Sequence, residues 1–461
     1  MNNLTWLVSV ASLTFFMQSL DTTMLYLAIP SMAQALHQSS LSMGMVVVSY
    51  MLTVMVFTPV CGWLADTYGY RRIYLLALGL FSLGSFLCAA ADTLTAIILA
   101  RFLQGIGGAL MLPVTRVVIL KTTLPAEKLS ALNKITLLGL GGTLLGPPLS
   151  GLLITTCSWR MIFLVNIPLC LICVVLAKKY MPEQLTSSMR GKFDTIGFML
   201  VVPALLLILL GLLGIGKHYF TGMWVIIFFL IAMLLLYRYK NHQDNTNDPL
   251  FTLSLFRHRT FAVGIASNIC VRIFIASVPL VLSLMLQREF NYSPRGVSII
   301  MLSLASGSIS ARFLLRPALI WCGYRCLLLI ATTVSAALIY SLTLPGLNGS
   351  LDSVVILIFI LGVFTSVLYA TMNTLTFSEL TDETYHAGNS LLILSQLLSI
   401  IISVTLTFTV LHYVNYAANA RGLENYHVSF LLMSFGLFLC CFIFLRLDKN
   451  DGDVFVQETQ K

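Results

Sequence analysis

The string GWLADTYGYRR occupies residues 62–72 and separates two long apolar runs of the chain. Its two glycines, Gly62 and Gly69, permit a close approach of helices and a tight reversal of the backbone. Asp66 can cap the helix that follows and can pair with a basic group. We therefore predict a short turn between two helices, held by a charge contact; the alternative is a generic loop with a basic anchor. The basic residues of the string are Arg71 and Arg72.

The composition around this string is that of a polytopic membrane protein. The 461 residues are 58% hydrophobic and 10% charged, with a mean hydropathy of +0.92, whereas soluble domains carry about 25% charged residues. No hydrophilic stretch is long enough to fold as a separate soluble domain. The first apolar run lacks a small-residue cleavage site, so we expect a retained first span and not a signal peptide.

Apolar runs of span length predict about fourteen membrane spans. With the N-terminus placed in the cytoplasm, about twenty of the 27 Lys and Arg residues fall in inside loops or in the C-terminal tail. This bias predicts that both termini are cytoplasmic, and it accounts for the net charge without a nucleic-acid partner. We expect an N-terminal six-helix bundle over 1–182, a linker with two additional helices over 183–258, and a C-terminal six-helix bundle over 259–461.

A weak internal repeat favours two related halves. Gly69-Tyr70-Arg71 follows one apolar run, Gly323-Tyr324-Arg325 follows another, and each precedes a further apolar run. Secondary transporters often carry such repeats and bind substrate between them near the bilayer midplane. The second copy is degenerate, because Ile320 stands where the first copy has Asp66.

Asp21 is the most unusual residue of the first apolar run, which extends from about Trp6 to Ile29 without a basic residue. A carboxylate in hydrocarbon costs at least ~2.5 kcal/mol, so it persists only where it faces a bundle interior or a watery cavity. One interpretation is an acid held by structural hydrogen bonds. The interpretation that we favour is a protonatable site on a transport path.

Arg101, in the fourth span, is a candidate partner for Asp21. At 1.5 Å per residue, Asp21 lies roughly 13 Å and Arg101 roughly 10 Å below the outer ends of their antiparallel spans. Because the depths are similar, we expect the two side chains to cooperate, with alternating exposure switching Asp21 between holding and releasing a proton. A static buried ion pair is the alternative.

Arg272 is a second arginine within a span, roughly 16 Å into the ninth, near the midplane. A guanidinium there is a candidate functional group. No acidic residue lies clearly inside a span of the second half, so Arg272, with Asn268 and Gln396, would suit an anionic or zwitterionic solute. A structural arginine that donates to backbone carbonyls is the alternative.

Several strings lie where one known family places its signatures. They are residues 62–72, LDTT at 20–23 with the stretch up to Pro30, ARFLQGIGGA at 100–109, residues 139–151, and WRMIFLVNIP at 159–168. Over essentially the whole chain the sequence resembles the major facilitator superfamily, and within it the fourteen-span drug:proton antiporters of the EmrB/QacA type. Tyr26 stands where that family usually has Asn, and Ser150 replaces a usual Gly.

The resemblance implies an all-α membrane protein of the major facilitator fold, with two six-helix halves and two extra central helices. It implies a proton-coupled antiporter that exports small amphipathic compounds or drugs by alternating access. It also implies that Asp21 and Arg101 couple protons and that residues 62–72 form a cytoplasmic gate. The implied antiporter-motif helix contains Gly142, Gly146, Pro147 and Gly151.

The runner-up function is export of an anionic metabolite such as a carboxylate or a siderophore. A membrane enzyme would need clustered catalytic side chains, which the sequence lacks, and a channel or sensor is a further rival. The sequence contains no Walker-type phosphate-binding loop, which argues against an ATP-driven pump, so we expect the proton gradient to drive transport with no cofactor or metal. We expect a monomer in the bilayer of a bacterial inner membrane. The candidate substrate-binding residues are Gln18, Tyr26, Gln104, Asn268, Arg272 and Gln396.

Overall fold

The fold comes from a computed structural model, in which every regular element of the described chain is helical. The described residues are 3–123, 125–183, 193–217, 222–246, 249–344, 351–380, 382–417 and 423–448.

The first seven helices precede residue 184 and are α1 (Asn3–Ala35), α2 (Ser40–Tyr68), α3 (Tyr70–Ala90), α4 (Leu94–Thr122), α5 (Pro125–Thr156), α6 (Met161–Leu164) and α7 (Asn166–Tyr180). The remaining helices are α8 (Thr195–Lys217), α9 (Gly222–Gln243), α10 (Arg259–Ile275), α11 (Val278–Arg288), α12 (Pro294–Ser341), α13 (Leu351–Phe377), α14 (Asp382–Ala417), α15 (Leu423–Leu439) and α16 (Cys441–Phe444). A short 3-10 helix, Leu253–Arg257, precedes α10.

The number of membrane spans in the described chain is close to the fourteen that the sequence predicts. Twelve helical segments of the described chain are long and apolar enough to cross a membrane. One of them, α12, has 48 residues and is interrupted by a non-helical residue, Gly323, so it holds two crossing segments. The 33 residues of α1 are also enough for a crossing. Counting α12 twice and adding α1 raises twelve to fourteen, and the chain is an all-α multi-pass membrane protein.

The helices form two compact units. The first contains Met1–Phe193 and Leu286–Leu302, and the second contains Asp194–Met285 and Ser303–Lys461. The two additional helices, α8 and α9, belong to the second unit. The domain boundaries predicted at 182 and 258 stay predictions.

The two copies of the internal repeat share one backbone feature, a glycine with a positive φ angle. Gly69 separates α2 from α3 with φ +92°, and Gly323 interrupts α12 with φ +69°. L-residues with a side chain rarely adopt such angles, whereas glycine does so without a steric penalty. The repeated Gly-Tyr-Arg sequence therefore marks two sharp turns between helices, as predicted.

Close packing of α5 on α1 positions the first span. A Cβ atom added to Gly142 would lie 2.2 Å from the carbonyl oxygen of Phe16, and one added to Gly146 would lie 1.9 Å from Oγ1 of Thr23. The hydroxyl of Ser150 donates to the carbonyl of Met24 at 2.9 Å. Because larger residues would push α5 away, these small side chains fix α1, and with it Asp21, against the rest of the first unit.

Candidate functional site

Asp21 is the centre of a buried polar cluster in the first unit. Its Oδ2 atom accepts a hydrogen bond from Nη1 of Arg101 at 2.7 Å. Its Oδ1 atom accepts from Nδ2 of Asn166 at 2.7 Å and from Nε2 of Gln104 at 3.1 Å. The side chains of Asp21 and Arg101 are only 2% and 1% exposed, so water does not screen this ion pair. We call Asp21, Arg101, Gln104 and Asn166 the aspartate cluster.

Four helices supply and orient the aspartate cluster. Asp21 lies on α1, Asn166 begins α7, and Arg101 and Gln104 lie one turn apart on α4. Gln104 also accepts from Nη1 of Arg101 at 2.6 Å and donates to the hydroxyl of Ser85 on α3 at 2.9 Å. Gly84 makes this approach possible, since a Cβ atom there would lie 2.6 Å from the backbone nitrogen of Gln104.

Two aromatic rings enclose the guanidinium of Arg101. Its Cζ atom lies 5.2 Å from the ring centroid of Tyr50 and 5.0 Å from that of Phe163. Such rings attract a cation through their negative faces and exclude water. The charge of Arg101 is therefore balanced by one carboxylate and two rings.

The geometry suits the ionised form of Asp21, because three donors point at its two oxygen atoms. A proton on Asp21 would displace one donor and leave Arg101 without a counter-charge in a low-dielectric site. Two polar atoms of the cluster, Nε of Arg101 and Oδ1 of Asn166, have no hydrogen-bond partner among the described residues. The amide of Asn166 has the capacity to rotate and accept a hydrogen bond from a protonated Asp21.

The depth estimate correctly predicted the contact between Asp21 and Arg101. The sequence did not reveal Asn166 or Ser85, since a single amide or hydroxyl in an apolar run is a weak signal. Gln104, predicted to bind substrate, lies in the aspartate cluster. Gln18 donates to the carbonyl of Gly108 at 2.7 Å, and Tyr26 is partly exposed on the same helix.

The turn at residues 62–72 contains a charge contact, but the basic partner of its aspartate is not one of the adjacent arginines. Asp66 accepts hydrogen bonds from Tyr70 and from Nζ of Lys121, the latter at 3.3 Å. Lys121 also donates to the hydroxyl of Tyr70 at 2.7 Å. The predicted capping role of Asp66 is wrong: the residue lies inside the last turns of α2, and the N-cap of α3 is Gly69, without a side-chain cap.

The two arginines of the turn have different surroundings. Arg71 donates to the carboxylate of Glu183, which lies beyond the end of α7, and to the carbonyl of Lys178, which lies within α7. Arg72 is exposed at the start of α3. Arg71 therefore joins α3 to the end of α7, while Lys121 joins α4 to α2.

Arg272 is the centre of a polar group in the second unit. Its Nε atom donates to Oδ1 of Asn268 at 3.2 Å, and its Cζ atom lies 4.2 Å from the ring centroid of Tyr369 on α13. Gln396 on α14 donates to Oδ1 of Asn373 at 3.1 Å and not to Arg272. Tyr369 and Asn373, which the sequence did not indicate, are one turn apart on α13.

A second buried acid lies outside the spans, before α8. Asp194 accepts hydrogen bonds from the backbone N–H groups of Gly197 at 2.8 Å and Leu250 at 3.0 Å, and it contacts Nε2 of His242 at 2.7 Å. Burial opposes its ionisation, but these hydrogen bonds and the nearby imidazole outweigh that effect and lower the pKa of Asp194. Asp194 thus ties α8 to α9 and to the chain before α10.

Long apolar helices in two units, with a buried ion pair in one and an arginine near the middle of a crossing segment in the other, are typical of a multi-pass membrane transporter. The model of the Major Facilitator Superfamily matches residues 11–235. The "Putative multidrug resistance protein MdtD" of Escherichia coli O6:H1 (strain CFT073) is 38% identical over 402 residues, which cover 87% of this chain and 85% of that protein. The protein of the same name from Escherichia coli O45:K1 (strain S88) is 36% identical over 452 residues, covering 96% and 95%.

The fold comparison agrees with these relatives. The crystal structure of a D-xylose-proton symporter superposes with a TM-score of 0.69 at 14% identity, and the match covers 98% of this chain and 99% of that chain. The chain belongs to the major facilitator superfamily, and it is a transporter and not an enzyme.

Proposed function

We propose that this chain is a proton-coupled exporter that exchanges inward-moving protons for small amphipathic compounds or drugs. The observation that carries the proposal is Asp21, whose side chain is only 2% exposed in an apolar helix. Among the acidic side chains that the structure describes, only Asp21 and Asp194 are buried, and Asp194 precedes its helix. Asp21 is therefore the best candidate for the proton-binding group. Relatives with a multidrug resistance name support the cargo class.

Coupling follows from the competition for Asp21. The carboxylate binds either Arg101 and the amides of Gln104 and Asn166 or a proton, and it does not fully satisfy both. Protonation removes the counter-charge of Arg101, so it favours a rearrangement in which this guanidinium finds another partner. A membrane potential of 100 mV contributes about 2.3 kcal/mol for each charge moved, which adds to the driving force for such a change.

We further propose that the transporter works in a bacterial inner membrane as a monomer, without a cofactor, and with both termini in the cytoplasm. The distribution of Lys and Arg supports this orientation. Residues 62–72 would then lie at the cytoplasmic end, where Asp66, Tyr70 and Lys121 link α2, α3 and α4. A contact that is partly exposed and only moderately strong suits a gate that opens in each cycle.

The test of this proposal is flux in proteoliposomes under an imposed pH gradient. A panel of cationic, neutral and anionic fluorescent dyes reports export, and a trapped pH dye reports proton movement. D21N should abolish gradient-driven flux of every dye that the wild type exports, because Asn binds no proton in this range. The matched control is D92N, an exposed acid that pairs with Arg160, which should keep the wild-type rate. Gradient-driven flux through D21N would overturn the assignment of Asp21, and the absence of proton movement with any exported dye would overturn proton coupling.

A further inference from the structure

The guanidinium of Arg272 has unused hydrogen-bonding capacity. It has five N–H donors, of which Nε–H is engaged by Asn268. No hydrogen bond or ion pair of its Nη atoms is found among residues 3–448 where the structure describes them. The side chain is partly exposed. Four donors therefore remain for another molecule.

The depth of Arg272 makes this arrangement costly without a ligand or water. The residue lies near the middle of the crossing segment Arg259–Arg288. An arginine at the centre of a bilayer costs at least ~2.5 kcal/mol, and such residues face cavities and mark the paths of substrates or ions. The carbonyl-bonded structural arginine that the sequence left open does not fit, because within the described chain the guanidinium donates to a side-chain amide and to no backbone carbonyl.

Close helix packing brings Tyr369 of α13 next to Arg272 of α10. Gly264 on α10 lies so close to α13 that an added Cβ would be 2.3 Å from Oγ1 of Thr376. Arg272 and Tyr369 lie about two turns from this contact on their respective helices, which run antiparallel. The ring of Tyr369 therefore lies 4.2 Å from Cζ of Arg272, and the Nη atoms have no hydrogen-bond partner among the described residues. A planar edge with paired donors matches a carboxylate in the bidentate geometry.

The polar neighbours favour an anion over a cation. Asn373 and Gln396 contribute neutral amides one turn further along α13 and across from it on α14. In the part of the second unit that the structure describes, no acidic side chain is buried within a helix, since Asp194 precedes α8. A cationic solute would meet one positive charge and no compensating carboxylate. An anionic solute would supply the missing counter-charge.

We propose that Arg272, Asn268 and Tyr369 form an anion-binding subsite that takes the carboxylate of a small amphipathic organic anion. This inference rests on the proposed transport function and narrows its cargo to compounds with an acidic group. The aromatic ring of Tyr369 orients the cation and offers apolar contact area, and Nη1 and Nη2 of Arg272 donate to the two carboxylate oxygens. In this proposal the aspartate cluster serves proton coupling and takes no part in anion recognition.

The test compares two dyes that share a xanthene ring but differ in charge. Binding of anionic fluorescein and cationic rhodamine 6G to the purified protein in nanodiscs is measured by fluorescence anisotropy, against empty nanodiscs. R272Q should weaken fluorescein binding by about tenfold or more, since it removes charge-assisted hydrogen bonds. It should leave rhodamine 6G binding unchanged or improved. R272K should restore part of the affinity, because it keeps the charge but loses the planar edge.

The matched control is R312Q, which removes the same charge from an exposed position on α12 and should leave the affinity for both dyes as in the wild type. Equal losses for the two dyes in R272Q, unchanged fluorescein binding in R272Q, or no fluorescein binding by the wild type would overturn the subsite. This outcome is separate from the test of the transport function, because D21N should still bind fluorescein while it loses gradient-driven flux. If D21N keeps gradient-driven flux while R272Q behaves as expected, the anion-binding subsite stands and the assignment of Asp21 as the proton site fails.

Discussion

Arg101 and Arg272 are the same residue type in similar settings, yet their charges are balanced in different ways. Each lies in an apolar helix and each has an aromatic ring near its guanidinium. Arg101 is 1% exposed and binds Asp21 at 2.7 Å, whereas Arg272 is partly exposed and binds only a neutral amide among the described residues. The charge of Arg101 is balanced within the protein by Asp21. Arg272 has donors that only a ligand or solvent would use.

The comparison separates two uses of a membrane charge. A pair that is closed inside the protein changes state only when a proton or a conformational change breaks it, so it suits coupling. A cation whose counter-charge comes from outside binds and releases an anion without breaking a protein contact. The proposed proton site and the proposed anion subsite follow from this difference in pairing and not from a difference in residue type.

The largest expected effect is a loss of stability when Arg101 is removed from its ion pair with Asp21. R101M should lower the free energy of unfolding by about 3–5 kcal/mol, because it leaves the carboxylate of Asp21 buried without its counter-charge. The measurement is thermal unfolding in detergent, followed with a thiol-reactive dye that reports exposure of buried cysteines such as Cys88 and Cys173. The double variant D21N/R101M should recover a large part of the loss. A double variant as unstable as the sum of the single variants would show that the pair is not coupled.

The contact between Asp21 and Arg101 was predictable because helix rise fixes depth, and two charges at similar depth in an apolar medium have a strong reason to meet. Helix count and bends at glycine followed from apolar length and from Gly69 and Gly323 for similar reasons. Orientation around the helix axis is not fixed in this way. The amide of Asn166, 145 residues from Asp21 in sequence, therefore remained hidden.

The turn at residues 62–72 illustrates the same limit. The sequence predicted that Asp66 pairs with a basic group but did not identify which one. In the structure, helix geometry points Arg71 toward α7 and brings Lys121 to Asp66. Likewise, Tyr369 lies 97 positions after Arg272, and an aromatic residue in a span of this kind has no distinguishing signal in a chain with 28 Phe and 17 Tyr. The sequence identified the regions that contain these charged residues, but their contact partners depend on helix packing.

A smaller effect is expected when one neutral donor is removed from the aspartate cluster. N166L should lower stability by about 1–3 kcal/mol, because Oδ1 of Asp21 loses a hydrogen bond while it stays buried. If Asn166 also accepts from protonated Asp21, N166L should shift the pH dependence of gradient-driven flux, whereas S85A, which removes a hydrogen bond to Gln104 and none to Asp21, should not. Unfolding temperature and a pH profile of flux are the two measurements. An unchanged pH profile in N166L would limit Asn166 to a structural role.

Asp194 is a paired charge in the same unit as Arg272. It therefore tests whether pairing or location decides how a buried charge affects the free energy of unfolding. The pKa of Asp194 is lowered in the folded protein, so its contribution to stability is present above the unfolded value of about 4 and is lost as pH falls through the folded value. The wild type should therefore lose about 1 kcal/mol more than D194N between pH 6 and pH 3. Thermal unfolding at a series of pH values measures this difference. Parallel profiles for the two proteins would contradict a stabilising ionised Asp194.

The smallest stability effect, and the sharpest contrast with R101M, is expected for R272M. Removing a membrane cation that has no carboxylate partner in the described chain deletes a desolvation penalty along with one hydrogen bond to Asn268. The two terms oppose each other, so the unfolding free energy should change by about 1 kcal/mol or less, in either direction. The same unfolding assay measures it, with R101M on the same plate. A loss as large as that of R101M would mean that Arg272 is held by a protein counter-charge, and the proposed difference between the two arginines would fail. Because R272M should fold normally, a loss of fluorescein binding in this variant would reflect recognition and not instability.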